Sequence, residues 1–176
     1  MPLTKGYIQV YTGEGKGKTT AALGQAMRAL GHGLCVFMIQ FMKGGLEYGE
    51  IELSRRLSPQ FLIKQMGRES FVDRKNPALQ DIDMAERALD LAREKIMDEK
   101  TDVLILDEIN VALDFKLINL KDVLEMLNTK LSTMEVILTG RSAPKEIIDR
   151  ADLVTEMKEI KHYYRQGVDA RQGIES

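Results

Sequence analysis

The chain has too few cysteines to be stapled and too little excess charge to be read by charge alone. Its single cysteine, Cys35, can neither close an internal disulfide nor build a cysteine-based metal cluster. It lies in the apolar run at residues 34–39 and is expected as a small core side chain of a buried strand. A formal net charge of −2 leaves no surplus of Lys and Arg for a broad nucleic-acid footprint, so no nucleic-acid partner is expected. No apolar run approaches the ~18 residues of a membrane span, and no basic-then-apolar leader is visible, which makes the cytoplasm the expected location. Internal repeats, low-complexity tracts and convincing linkers are also missing, and residues 1–176 read as a single domain.

What is present is the ordinary mixture of a globular protein, 44% hydrophobic and 30% charged. At this length folding buries about 70% of the unfolded surface, so no staple is required. Short apolar runs near 6–11, 34–40, 61–66, 103–107, 135–139 and 152–156 alternate with helix-period segments. That alternation predicts an α/β fold, a mostly parallel sheet with helices on both faces. Helices are expected over 19–30, 78–100 and 120–131, with another starting after Pro144. Residues 41–49 and 67–77 resist assignment. Both follow strands, and loops beyond the carboxyl ends of parallel strands are where such sheets bind ligands.

The most specific signal is Thr12-Gly13-Glu14-Gly15-Lys16-Gly17-Lys18-Thr19-Thr20, set between an apolar run and a helical pattern. Its glycines let the backbone aim N–H groups at a phosphate, Lys18 adds a point charge, and Thr19 offers a hydroxyl to Mg²⁺. The start of the helix adds its positive dipole end. Thr12 stands where the common phosphate-loop pattern has its first glycine; the following Gly-Lys-Thr-Thr retains its character. A nucleoside triphosphate is the expected ligand.

Residues 103–106 are four aliphatics delivering Asp107 and Glu108 to the same sheet edge, the pattern of a strand whose acids serve Mg²⁺ directly or through water. A second strand ends in Thr139-Gly140-Arg141, and Arg141 is a candidate phosphate clamp. No Ser/His/Asp set or Cys/His metal spacing is visible, and His32 and His162 lie on separate segments. Glu108 is the only residue in reach of the general-base role. Either Glu108 orients a water against a γ-phosphate, or the nucleophile arrives with no proton to remove.

Taken in order, residues 13–22, Arg28-Ala29-Leu30-Gly31-His32-Gly33, Gln40-Phe41-Met42-Lys43-Gly44, Leu106-Asp107-Glu108-Ile109-Asn110, Thr139-Gly140-Arg141, residues 151–157, Lys161-His162 and Gln172-Gly173-Ile174-Glu175 resemble the P-loop-type ATP:corrinoid (cob(I)alamin) adenosyltransferases over nearly the whole chain. The resemblance implies a P-loop NTPase-like, RecA-like three-layer fold. The implied activity is transfer of the 5′-deoxyadenosyl group of ATP to the cobalt(I) of a reduced corrinoid, with release of triphosphate. It implies ATP bound with its phosphates reversed relative to other P-loop proteins, a flavoprotein electron donor and a homodimer. By position, it places the triphosphate on Gly13, Glu14, Gly15, Lys16, Gly17, Lys18, Thr19 and Thr20, with Arg141 and Arg28 as further nucleotide contacts. Thr19 and Glu108 then serve Mg²⁺, with Asp107 beside them, and Lys18 and Glu108 are the catalytic candidates.

Two departures stand out. Glu14 replaces the family's usual Asn, which requires its carboxylate to point outward or to help hold the metal. Some members displace the corrinoid's lower ligand with an aromatic pair that includes Trp; this chain has no Trp, and the corresponding region offers only Phe71 to the corrinoid. The competing expectations are a RecA-like ATP-hydrolysing switch or motor, a nucleoside kinase, and a regulatory nucleotide-binding module. The cysteine count argues against the zinc-ribbon lid found in thymidine kinases.

Overall fold

The computed structural model describes residues 3–45 and 48–175. In chain order the elements are β1 (Ile8–Thr12), α1 (Lys18–Gly31), β2 (Val36–Phe41), α2 (Gly49–Leu57), β3 (Phe61–Met66), α3 (Leu79–Lys95), β4 (Val103–Asp107), α4 (Ile109–Asp114), α5 (Leu120–Asn128), β5 (Glu135–Thr139), α6 (Lys145–Arg150), β6 (Leu153–Glu156) and a 3₁₀ turn at Tyr163–Gln166. The strands form one six-stranded sheet in the order β3-β2-β4-β5-β1-β6. Every pairing is parallel. All six predicted strands are therefore present, β3, β4 and β5 with the predicted ends and β1, β2 and β6 with ends shifted by one or two residues.

The central strands β2 and β4 are buried along their full length, as strands covered on both faces must be. One apolar cluster joins Ile39, Leu104, Leu106 and Leu138 to α3, α4, α5 and α6. The other joins Met38, Ile105 and Ile137 to Ala22, Ala26 and Ala29 of α1. Those alanines let α1 lie close against the sheet, which brings its first turn to the sheet's carboxyl edge. The result is the expected helix–sheet–helix sandwich.

Three expectations need correction. The helix predicted to Lys100 ends at Lys95, because Asp98 folds the next residues into a turn, accepting from the Lys100 N–H at 3.1 Å and the Thr101 hydroxyl at 3.2 Å. The α5 helix stops at Asn128 rather than Leu131. There the Lys130 ammonium takes up the carbonyls of Gly6, Leu131 and Met134 at 2.8–3.0 Å, which closes a turn. Cys35 precedes β2 and is only half-buried; its backbone is tied to Asp102, whose carboxylate accepts from the Cys35 N–H at 2.8 Å.

The unassigned stretch at 41–49 yields a turn and the start of α2, with residues 46 and 47 outside the described residues. The helix is short and charged, carrying Glu52 paired with Arg55 and Arg56, and it offers little apolar periodicity to find in the sequence. The stretch at 67–77 is a loop, held by a two-point ion pair between Arg68 and buried Asp81, both contacts 2.6 Å, and by Arg74 against Asp114 at 2.9 Å.

Candidate active site

The site is assembled at the carboxyl edge from the loop after β1, the ends of β4 and β5, and two segments distant in sequence. Within the phosphate loop, Lys18 is 8% exposed, and its ammonium donates to the carbonyls of Gly13 and Gly15, both at 2.7 Å. Burial lowers its pKa from the ordinary lysine value, partly offset by Glu108. The N–H of Gly15 donates to the Met157 carbonyl at 2.6 Å. A Cβ at Gly15 would stand 2.7 Å from that same oxygen, so the strand-end backbone of residue 157 requires glycine there.

Asp107 is fully buried and organises the polar network at the end of β4. Its Oδ1 accepts from the hydroxyls of Thr19 at 2.8 Å and Thr139 at 2.7 Å, and its Oδ2 accepts from the Lys43 ammonium at 2.7 Å. Thr139 in turn accepts the N–H of Glu108 at 3.0 Å. Glu108 turns the chain from β4 into α4 with a left-handed backbone, φ 62°. Burial, reinforced by the charge of Asp107, holds its carboxyl above the ordinary glutamate range. Asn110, fully buried on α4, donates to the Gly140 carbonyl at 3.4 Å, while its Oδ1 has no partner among the described residues. A hydroxyl and two carboxylates are hard oxygen donors, suited to Mg²⁺. Among the described residues there is no group of three or more His, Cys, Asp or Glu that could hold a metal ion.

Glu14 points outward, with 68% of its side chain exposed, and lies 3.6 Å from Arg141. The negative charge in the loop is thus neutralised at its rim by the predicted phosphate clamp. Arg28 is not brought to the site. It is exposed in the last turn of α1, roughly 15 Å along the helix from Lys18 at 1.5 Å per residue. Phe71 is fully exposed at the tip of the 67–77 loop, while its neighbour Val72 packs on the core. The loop is anchored by Val72, Arg68 and Arg74, leaving Phe71 free of that duty.

Three cavities meet here. One of about 290 Å³ follows the phosphate loop from Glu14 to Thr20 and is closed by Glu108, Arg141, His162 and Glu175. A larger, mostly apolar cleft of about 780 Å³ carries Phe71, Val72, Val111 and Phe115. The two share Glu14, Glu108 and Arg141 as a common wall. A groove of about 960 Å³ between α1 and α2 joins the phosphate cavity at Lys16, Thr19, Thr20 and Glu175.

Sequence reasoning missed Lys43, Thr139, His162 and Glu175 as site residues. His162 and Glu175 reach the loop because the tail folds back over it. Lys16 donates to the Ile174 carbonyl at 3.3 Å, and Glu175 is held by Arg171 and Tyr163, which lower its pKa to about 2. The blocks that carry the family resemblance contain these residues and are the available signal; local periodicity carries none.

The geometry agrees with comparisons to known proteins. The profile of the family described as ATP:corrinoid adenosyltransferase BtuR/CobO/CobP matches residues 4–176. A corrinoid adenosyltransferase of Sinorhizobium sp is 41% identical, over 97% of this chain and 80% of its own. Those of Pseudomonas aeruginosa and Escherichia coli K12 are 36% and 35% identical, each over 97% of this chain and at least 84% of their own. Among solved structures, the flagellar accessory protein FlaH of Methanocaldococcus jannaschii superposes with a TM-score of 0.54 at 16% identity, covering 89% of this chain and 72% of that one. That likeness concerns the fold alone.

Proposed function

The chain belongs to the ATP:corrinoid adenosyltransferase family, and on that basis we propose that its phosphate loop and the adjoining apolar cleft are where ATP and a reduced corrinoid meet. The enzyme transfers the 5′-deoxyadenosyl group of ATP to the corrinoid. The observation that carries the assignment of sites is the shared wall: a nucleophile in the apolar cleft is separated from the phosphate cavity only by Glu14, Glu108 and Arg141.

In this reading the triphosphate lies on residues 13–20, with Lys18 and Arg141 facing it. The cobalt(I) electron pair forms a bond to C5′ of the ribose, the C5′–O bond breaks, and its electrons leave on the triphosphate. No proton is removed, which accounts for the lack of a triad or other base. The chain's contribution is alignment and stabilisation of the departing charge. Thr19, Asp107 and Glu108 would hold Mg²⁺, which supplies charge neutralisation to the triphosphate when bound. Lys18, already fixed among loop carbonyls, supplies a positive charge without reorganisation. The family resemblance further supports a flavoprotein electron donor, a homodimer and a cytoplasmic setting. No helix among the described residues is long and apolar enough to cross a membrane.

The proposal is tested by mixing the protein anaerobically with MgATP and chemically reduced corrinoid. The expected result is loss of the cobalt(I) spectrum and appearance of a light-sensitive alkylcobalt product; an unchanged cobalt spectrum with ATP consumed would contradict it.

Phe71 is the aromatic offered to the corrinoid. Its ring makes no contribution to the core, so Phe71→Ala is expected to weaken use of the corrinoid. The apparent affinity for ATP should stay within about twofold, a change of roughly 0.4 kcal/mol. Titrating each substrate separately, with a melting curve alongside, checks this. Equal losses for both substrates with a lowered melting temperature would return Phe71 to a structural role.

A further inference from the structure

Lys43 is not part of the phosphate cavity, yet its ammonium lies 2.7 Å from the buried carboxylate assigned above to the metal. The two oxygens of Asp107 are used differently. Oδ1 is saturated by the hydroxyls of Thr19 and Thr139, whereas among the described residues Oδ2 is engaged by Lys43 alone. A divalent cation reaching Asp107, directly or through a bound water, needs the oxygen that the ammonium occupies.

We infer that Lys43 is a built-in counter-cation: it neutralises and positions Asp107 until the Mg²⁺ of MgATP takes over, and is then displaced toward the acceptor cleft. This rests on the assignment of Thr19, Asp107 and Glu108 to the metal. Lys43 is a positioning residue, since the ion pair it makes is with Asp107 and its effect on the metal is exerted through that carboxylate.

The backbone around Lys43 is constructed for this placement. Met42 has a left-handed backbone, φ 58°, which few non-glycine residues adopt. The loop after β2 is pressed against the loop after β3 so closely that a Cβ on Gly44 would stand 1.8 Å from the Gly67 carbonyl oxygen. The lysine side chain is 20% exposed, and Asp107 is fully buried. Burial by itself would lower the Lys43 pKa, but Asp107, followed by Glu108 and Glu50, holds it above the ordinary lysine value. Without this cation, the buried carboxylate of Asp107 would stand beside Glu108 with its Oδ2 unpaired.

The exit is also visible. Lys43 and Tyr48 line both the apolar cleft and the groove between α1 and α2, so they form the partition between the two. The ammonium lies 5.6 Å from the Tyr48 ring centroid, a position that stabilises a cation leaving Asp107. Two cations competing for one carboxylate oxygen repel, so metal binding and the position of Lys43 are coupled.

The test measures metal binding without turnover. Mn²⁺ alone, followed by the paramagnetic resonance of the free ion, should bind nucleotide-free Lys43→Met at least tenfold more tightly than wild type. Mg²⁺ should raise the melting temperature of that variant more than that of wild type. Lys43→Arg, which keeps the cation, should bind Mn²⁺ as wild type does. Lys43→Gln carries the same expectation as Lys43→Met with a smaller gain, and serves if the apolar variant does not fold.

Unchanged Mn²⁺ affinity in a folded Lys43→Met or Lys43→Gln protein would overturn the inference and leave a purely structural ion pair. Lost affinity for metal-free ATP would overturn it in favour of a phosphate contact. If wild-type ATP affinity proves independent of Mg²⁺, the underlying metal assignment fails. A Mg²⁺-dependent wild type with an unresponsive Lys43 variant contradicts only the role of Lys43.

Discussion

Lys18→Ala is expected to slow adenosyl transfer by roughly 10²-fold or more, the loss seen when a fixed charge or donor facing a developing anion is removed. The argument rests on preorganisation. The ammonium is 8% exposed and held by two loop carbonyls at 2.7 Å, so its direction is set before any ligand arrives. Its pKa is lowered, first by burial, so its charged form gains from an anion placed beside it. Single-turnover rates at saturating ATP, measured with a melting curve to exclude misfolding, check the expectation. A near-normal rate would remove Lys18 from stabilisation of the leaving group.

Asp107→Asn is expected to lower stability by about 3 kcal/mol, the lower end of the cost of breaking a buried pair, because Lys43 retains some access to water. The substitution discharges the acceptor of two hydroxyls and one ammonium at once. For a domain of this size the melting temperature should fall by roughly 6–12 °C. Thermal unfolding without nucleotide measures it. Removing Lys43 as well should recover part of the loss, since the stranded cation is then gone. A fall under about 2 °C would show that the polar network contributes little to the fold.

The parts of this molecule legible in its sequence are those encoded locally. Residues 103–106 announce a buried strand by unbroken aliphatics, and Ile82, Ala85, Leu89 and Ala92 announce α3 by spacing. The phosphate loop and the acids at 107 and 108 are each contiguous, so their chemistry was readable before any contact was known. Lys43 was not, because its meaning lies in a carboxylate 64 residues away. Thr139 reads as the last residue of a strand, and its hydroxyl becomes important only because β5 lies beside β4. His162 has no chemical partner on its own segment, yet the returning tail places it on the wall of the phosphate cavity. Arg28 is the opposite case: a residue inside a family block that stands in the last turn of α1, roughly 15 Å along the helix from Lys18.

The central claim is that the bond broken in ATP is C5′–O, with the triphosphate leaving intact. It is tested most directly by quantifying tripolyphosphate against cobalt–carbon bonds in an anaerobic reaction with limiting ATP. Equal amounts of the two products are expected, with ADP and orthophosphate at background. ADP and orthophosphate as the main products, without alkylated corrinoid, would contradict the claim and make the site a water-activating one.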